Sequence, residues 1–485
     1  MAIYIILGIP LVLALISLFA VKGKALGVIN SLGYFVVLCA SVAVFKGIIS
    51  AGPVNALSGF IYLDTLSAFF ITVTSVVAFA VALYSVGYIA RDEGRKLISA
   101  RKARFYYLFF NLFCFSMLCV PAMNNLGLLW AAVEMTTLIS AFLVGFYNSK
   151  ESVEAAWKYI IICSVGITLA LLGTMMFSYA FSVAGVSKTL NWSEIAPLAH
   201  ILDKNILKLG FIFILVGYGT KAGLAPMHAW LPDAHSQAVA PISALLSGVL
   251  LKTALYAILR FGIIMIKSGE SLYFSHLMVF FGIVSLVVSA GFILVQKDLK
   301  RLLAYSSVEH IGIISIGFGL GTPLAVAGAA LHLFNHAVTK SLMFFGAGNI
   351  VSAYKSHNMN SIRGVIRALP FTGALMFLGM FALTGFPPFS IFFSEIIIIM
   401  AAFAGGSYFT AALILVFLSV IFGAFIYHFG KVFFGRLPKG MVVSGEPLSG
   451  KLAFLFLLFL ILGTGVVLLF KYKDLLWLAQ KLLQG

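Results

Sequence analysis

Apolar runs close to the thickness of a bilayer recur along almost the whole chain, and they constrain the fold more than any motif does. A helix crossing the hydrocarbon core needs about 20 mostly apolar residues. Fourteen such runs can be marked in the 485 residues: 2–20, 26–45, 67–88, 105–120, 126–146, 155–179, 207–230, 238–261, 276–295, 302–320, 324–350, 371–403, 408–429 and 452–470. Hydrophobic residues make up 62% of the chain and charged residues only 10%. Soluble domains sit near 45–50% apolar and about 25% charged. A water-soluble fold of this composition would expose large apolar patches, and a disordered chain would be far more polar. The expected fold class is therefore an all-α polytopic membrane protein with about fourteen transmembrane helices. The loops are too short for a globular domain, and the tail at 471–485 is amphipathic enough to lie on the surface.

The formal charge of +17 invites a nucleic-acid reading. The basic residues do not form a soluble basic face, however, but sit in short loops between apolar runs, so no nucleic-acid partner is expected. Loops after odd-numbered spans carry 20 lysines and arginines and the opposite loops 9. Cationic loops stay cytoplasmic, so the bias predicts a plasma (inner) membrane protein with both termini outside. The first run lacks a basic leader and is long enough to span, so it does not read as a cleavable signal. Cys39, Cys114, Cys119 and Cys163 all fall in apolar stretches without a CxxC pair. They read as small core residues, not as iron–sulfur, zinc or disulfide sites.

Ionisable groups deep inside apolar runs are expensive and are functional candidates by default. Lys221 lies fourteen residues into its run, about 20 Å along a helix, flanked by Gly219 and Gly223 and followed by Pro226. Proline cannot donate a backbone hydrogen bond, so Pro226 interrupts the helix there. Interrupted helices mark ion sites in transporters; a lysine that snorkels to the headgroups is the plain alternative. Glu134 is eight residues into its run with no basic neighbour. It needs a partner on another helix, and Lys221 is the obvious candidate, either in proton transfer or in a structural ion pair. Lys252 is fourteen residues into the next run, behind a polar, kinked junction that contains His228, Pro232, Asp233 and His235.

His332, His336 and Lys340 fall at i, i+4 and i+8 on one helix face. Three proton-carrying groups in a row suggest a relay. A histidine pair at that spacing also binds zinc, but no HExxH pattern accompanies it, so no metal is expected. Glu309 and His310 either extend the relay or cap it. Glu395 follows a second interruption, at Gly385, Pro387 and Pro388. The two breaks lie five spans apart, which predicts two inverted five-helix repeats, 105–265 and 266–434, between a 1–104 segment and a 435–485 segment. Desolvation disfavours a charged lysine and a nearby carboxylate favours it. Moving Glu134 relative to Lys221 would thus switch the lysine between holding and releasing a proton. Such an element needs an outside driver, because the chain has no GxGxxG or Walker loop and no haem or cluster ligand set.

The stretch from Gly219 through Lys221 to Trp230 and His235 resembles the signature of antiporter-like membrane subunits. This is the superfamily of respiratory complex I, Mrp-type sodium/proton antiporters and energy-converting membrane hydrogenases. Asp298 through Ser307 and His332 through Lys340 match it too. Ala141 to Tyr147 and Glu154 to Cys163 look most like the hydrogenase-4 component F branch. The resemblance covers nearly the whole chain. It implies fourteen helices with inverted repeats and with helices 7 and 12 broken. It implies a proton relay through Glu134, Lys221, Lys252, Glu309, His310, His332, His336, Lys340 and Glu395. It also implies other membrane subunits and peripheral hydrogenase-like subunits as partners beside the lipid bilayer. Nickel–iron and iron–sulfur centres would reside in those partners, with no cofactor and no redox chemistry in this chain. The expected function is proton translocation in a redox-driven complex of the membrane-bound hydrogenase, formate hydrogenlyase or complex I-like kind. An Mrp-type subunit moving sodium against protons is the alternative.

Overall fold

The computed structural model describes residues 2–19, 22–185, 190–438, 445–470 and 472–484, without the side chains of 466–470, 472–475 and 483–484. Ala20, which ends the first expected span, lies outside the described residues, as do Lys471 and Gly485 of the tail and the loop cations Lys188 and Lys439. Helices α1 (Ala2–Ile16), α2 (Gly23–Ala51) and α3 (Thr65–Gly94) lead the chain, with a small hairpin, β1 (Val54–Ala56) and β2 (Ile61–Leu63), between the last two. Then come α4 (Ala100–Cys119), α5 (Leu126–Val144), α6 (Lys150–Val183), the short α7 (Trp192–Ile195) and α8 (Lys204–Ala222). After a turn follow α9 (Leu231–Gln237), α10 (Ala240–Leu245), a π-helical turn (Leu246–Leu250) and α11 (Leu251–Lys267). The rest is α12 (Ser271–Val295), α13 (Leu299–Leu320), α14 (Pro323–Tyr354), α15 (Val365–Ala368), α16 (Pro370–Leu383), α17 (Ser390–Ala404), α18 (Tyr408–Phe433), α19 (Leu448–Phe470) and α20 (Tyr472–Gln484).

Helix starts follow the capping residues. Asp64, Ser99, Asn125, Asp203, Asp298 and Thr322 each accept a hydrogen bond from a first-turn amide, and Ser149 and Ser152 form a reciprocal capping box at α6. Among the described residues, eleven helical stretches are long and apolar enough to cross a membrane. The first expected span is a shorter helix, Ala2–Ile16, and the twelfth is the pair α16 and α17 on either side of the expected break. The eleventh is α14, 32 residues long, with His332, His336 and Lys340 in an apolar sequence.

Burial is inverted relative to a soluble protein. In their most apolar 18-residue stretches, Ala240–Lys267 and Leu299–Leu320 have 94% of residues buried, whereas Gly23–Ala51 has 22%. The polar groups concentrate in the middle, while α6 turns Trp157, Ile161, Val165, Met175 and Tyr179 outward. That is the division a bilayer imposes. Tight crossings need small residues. A Cβ on Gly282 of α12 would stand 2.7 Å from the Gly312 carbonyl of α13. Helix α14 sits at the hub, touching α3, α10, α13, α16, α17, α19 and α20. The expected surface tail is a helix docked on α3 and α14, with Ala479 and Leu482 buried and Trp477 turned outward.

Arg260 is not the loop cation the charge tally assumes. It is 2% exposed and bonds Asp64 (Nη2 to Oδ1, 2.8 Å), Ser67 (2.7 Å) and Tyr256 (2.7 Å), with its guanidinium 4.2 Å from the Trp192 ring. Removing one partner of such a pair strands a buried charge, at a cost of about 3–5 kcal/mol. Arg260→Met is expected to lower the thermal unfolding temperature in detergent sharply. The Arg260→Met/Asp64→Asn double variant, which keeps the helix cap neutral, should recover most of the loss.

Candidate functional site

Helix α8 ends where the sequence marks it. Gly223 takes a left-handed conformation (φ +80°) and a turn containing Pro226 follows. Lys221 occupies the last helical turn and is fully buried. Its ammonium donates to the Tyr159 hydroxyl of α6 (2.6 Å) and to the Thr137 hydroxyl of α5 (2.8 Å), and lies 4.6 Å from the Tyr159 ring centre. Thr137 donates in turn to Glu134 Oε2 (3.2 Å), and Ser164 donates to Glu134 Oε1 (2.9 Å). Glu134 and Lys221 are thus linked through the Thr137 hydroxyl. Glu134 and Thr137 are one turn apart on α5, and the nearer side chain takes the lysine. Thr137→Val keeps the shape and removes the link; it should slow proton transfer several-fold, with Thr137→Ser restoring it. Wild-type flux in the valine variant would show that the hydroxyl is dispensable.

The junction after α8 is packed with rings. Trp230 donates to the Thr220 carbonyl (2.8 Å) and lies 4.7 Å from Tyr159. His235 is fully buried; its Nδ1 meets the Leu231 carbonyl at 2.8 Å and its Nε2 has no protein partner. His228 packs near Phe292 and Tyr305. Asp233 departs from this row: it pairs with Arg301 of α13 and with Lys158 of α6 (3.5 Å) at the rim.

A second cluster gathers around α13 and α14. In the π-helical turn just ahead of α11, the Ser247 carbonyl accepts from the Lys252 ammonium at 2.7 Å. Ser247 also bonds Ser307 of α13 (2.7 Å). Lys340 donates to the Leu303 carbonyl (2.6 Å) and to Ser306. His332, His336 and Lys340 do share a buried face, but their contacts run to α13 and α17 and not along α14. His310 Nδ1 and His332 Nε2 share a 2.9 Å hydrogen bond, and His332 Nδ1 meets Ser394 of α17 at 3.0 Å. The His336 ring lies 4.6 Å from His310, with neither nitrogen bonded to protein. Glu309, 2% exposed, feels the Lys340 charge. Past the break at Pro387 and Pro388, the Glu395 carboxylate sits against Gly385, and its Oε1 has no protein partner.

Lys300, a cation in the loop before the tenth apolar run, is likewise buried, 4% exposed. It donates to the carbonyls of Ala238 (2.7 Å) and Ser236 (3.3 Å), where α9 gives way to α10. Its spacing of seven from the buried Ser307 places both on one face of α13, a signal that hydropathy alone does not use. Lys300 borders a cavity of about 1110 Å³ that Asp92, Tyr147, Gln237 and His357 also line. Burial, and then the Lys300 charge, hold the His357 imidazole below its ordinary range.

The model of a family described as NADH:quinone oxidoreductase/Mrp antiporter, transmembrane, matches residues 123–422, and one described as the N-terminus of complex I chain 5 matches residues 51–106. A hydrogenase-4 component F homolog from Methylacidiphilum infernorum is 40% identical over 79% of this chain and 80% of its own length. In structure, the chain is similar to one in an archaeal membrane-bound sulfane sulfur reductase (TM-score 0.85, 24% identity, 99% of this chain and 97% of that one). It is similar to the same degree to one in the Mrp complex of a Dietzia species (TM-score 0.85, 21% identity, 99% and 97% covered).

Proposed function

The chain belongs to the NADH:quinone oxidoreductase/Mrp antiporter family of membrane proteins, and from that premise we propose that it is the proton-translocating, antiporter-like subunit of a redox-driven membrane complex. The observation that carries the reading is the row of fully buried amines and imidazoles at Lys221, Lys252, His310, His332, His336 and Lys340, with Glu134 and Glu395 toward its two ends. An anchor gains nothing from such groups, each of which opposes insertion into the hydrocarbon. The partnerless nitrogens of His235, His310 and His336 and the free Glu395 oxygen are places where water can complete a chain between them. The cavity beside Lys300 supplies water from one face. Lys221 then exchanges a proton as the Thr137-linked Glu134 stabilises or releases its charge, and the histidines pass it toward Glu395. In this reading the breaks after α8 and α16 mark corresponding places of two inverted repeats and relate two half-paths.

The partners in this reading are other membrane subunits and peripheral hydrogenase-like subunits that carry nickel–iron and iron–sulfur centres; this chain supplies none of that chemistry. The site is a plasma membrane, with both termini outside. The second reading, an Mrp-type sodium/proton antiporter subunit, draws on the shared family and fold. Sodium is a hard cation that takes oxygen ligands, and the row here is dominated by nitrogen. Inverted vesicles containing the complex test the choice. Redox turnover should acidify their interior equally with and without sodium. A strict sodium requirement would favour the second reading.

A further inference from the structure

One cluster has chemistry that proton transfer does not exhaust. His310 of α13, His332 of α14 and Glu395 of α17 each bring one ligand atom to within 4.8 Å of the other two, and all three are buried. Among the described residues this is the only group of three or more histidine, cysteine or acidic side chains that converges so. Glu395 Oε1 and His310 Nε2 have no protein partner. The paired nitrogens of His310 and His332, 2.9 Å apart, need part by only a few tenths of an ångström to hold a cation at about 2.0–2.1 Å. His332 is fixed from behind by Ser394, the kind of support that orients metal-ligating histidines. Two neutral imidazoles and a carboxylate, with one position open, form a zinc-type donor set. Glu309 lies near enough to Glu395 for their charges to interact, while Lys252 and Lys340 lie near enough to His310 to oppose a cation there.

We propose that His310, His332 and Glu395 bind a divalent transition-metal cation, zinc foremost, and that zinc seated there blocks transfer by occupying the lone pairs the protons use. The block rests on the relay reading; the binding does not. The test uses the purified complex with Co2+ as probe, followed by visible d–d bands and by metal content after desalting, and then Zn2+ displacement. One Co2+ per chain, bleached by zinc, is expected. Glu395→Gln and His332→Ala should weaken binding about tenfold or more. Glu395→Gln is nearly isosteric, so its result stands even if the histidine variant folds poorly. No specific cobalt spectrum, or one unchanged in the glutamine variant, would overturn the site. In vesicles, zinc should inhibit proton movement reversibly with chelator. Binding without inhibition would leave the site standing and refute the relay through it.

Discussion

Lys221→Ala is expected to abolish coupled proton movement, at least about tenfold below wild type, while the partner subunits retain part of their redox turnover. A tenfold loss corresponds to about 1.4 kcal/mol, small beside what the change removes. Among the described residues Lys221 is the one cation bonded to Tyr159 and Thr137. Without it Glu134 is joined, among the described residues, only to neutral hydroxyls, and the amine linked to it through Thr137 is gone. Alanine alone could fail by disturbing packing, so Lys221→Arg is the informative companion. Arginine keeps the charge but does not release its proton. It should preserve assembly and redox turnover, and still not translocate. Full pumping by the arginine variant would reduce Lys221 to a fixed charge, and full pumping by the alanine variant would remove it from the path. Vesicle acidification measured beside redox turnover on the same preparation separates these outcomes.

The legible part of this molecule was the part written in local sequence. Apolar runs placed the spanning helices, and Gly223 with Pro226 and Gly385 with Pro387 and Pro388 marked both breaks, because glycine and proline disrupt helices wherever they stand. The burial of Lys221, Lys252, the three histidines and Lys340 was legible for the same reason: nothing within a turn of them offered a route to water. Their partners were not. Thr137 and Lys221 are 84 residues apart, and His310 and His332 are 22 apart; no periodicity encodes such meetings. Arg260 and Lys300 misled because hydropathy records position along a helix and not which face is covered. Lys300 sits at the start of α13 and Arg260 near the end of the apolar run 238–261 though in the middle of α11, yet Asp64 and the carbonyls between α9 and α10 hold them inside. The π-helical turn at Leu246–Leu250 has an ordinary apolar composition and packs against α14 and α3.

Gly385→Ala is expected to disable translocation as thoroughly as a change at Glu395 itself, although residue 385 cannot carry a proton. Gly385 holds φ at +64°, and a Cβ built there falls on the Glu395 carboxylate. Two penalties follow. An L-residue in the left-handed region costs about 1–2 kcal/mol, and the carboxylate must leave its seat beside the break. The backbone penalty should appear as a fall of a few degrees in unfolding temperature, and the displacement as a loss of proton flux of about tenfold or more. Gly385→Asn separates the two, since asparagine tolerates the left-handed region but still brings a Cβ. Its stability should approach wild type while its flux stays low. Gly385→Ala/Glu395→Ala should stay as destabilised as Gly385→Ala, because the left-handed backbone remains strained, with no return of flux. If Gly385→Asn pumped normally, the defect of the alanine variant would be one of backbone strain, and the seat of Glu395 against the break would have no part in moving protons.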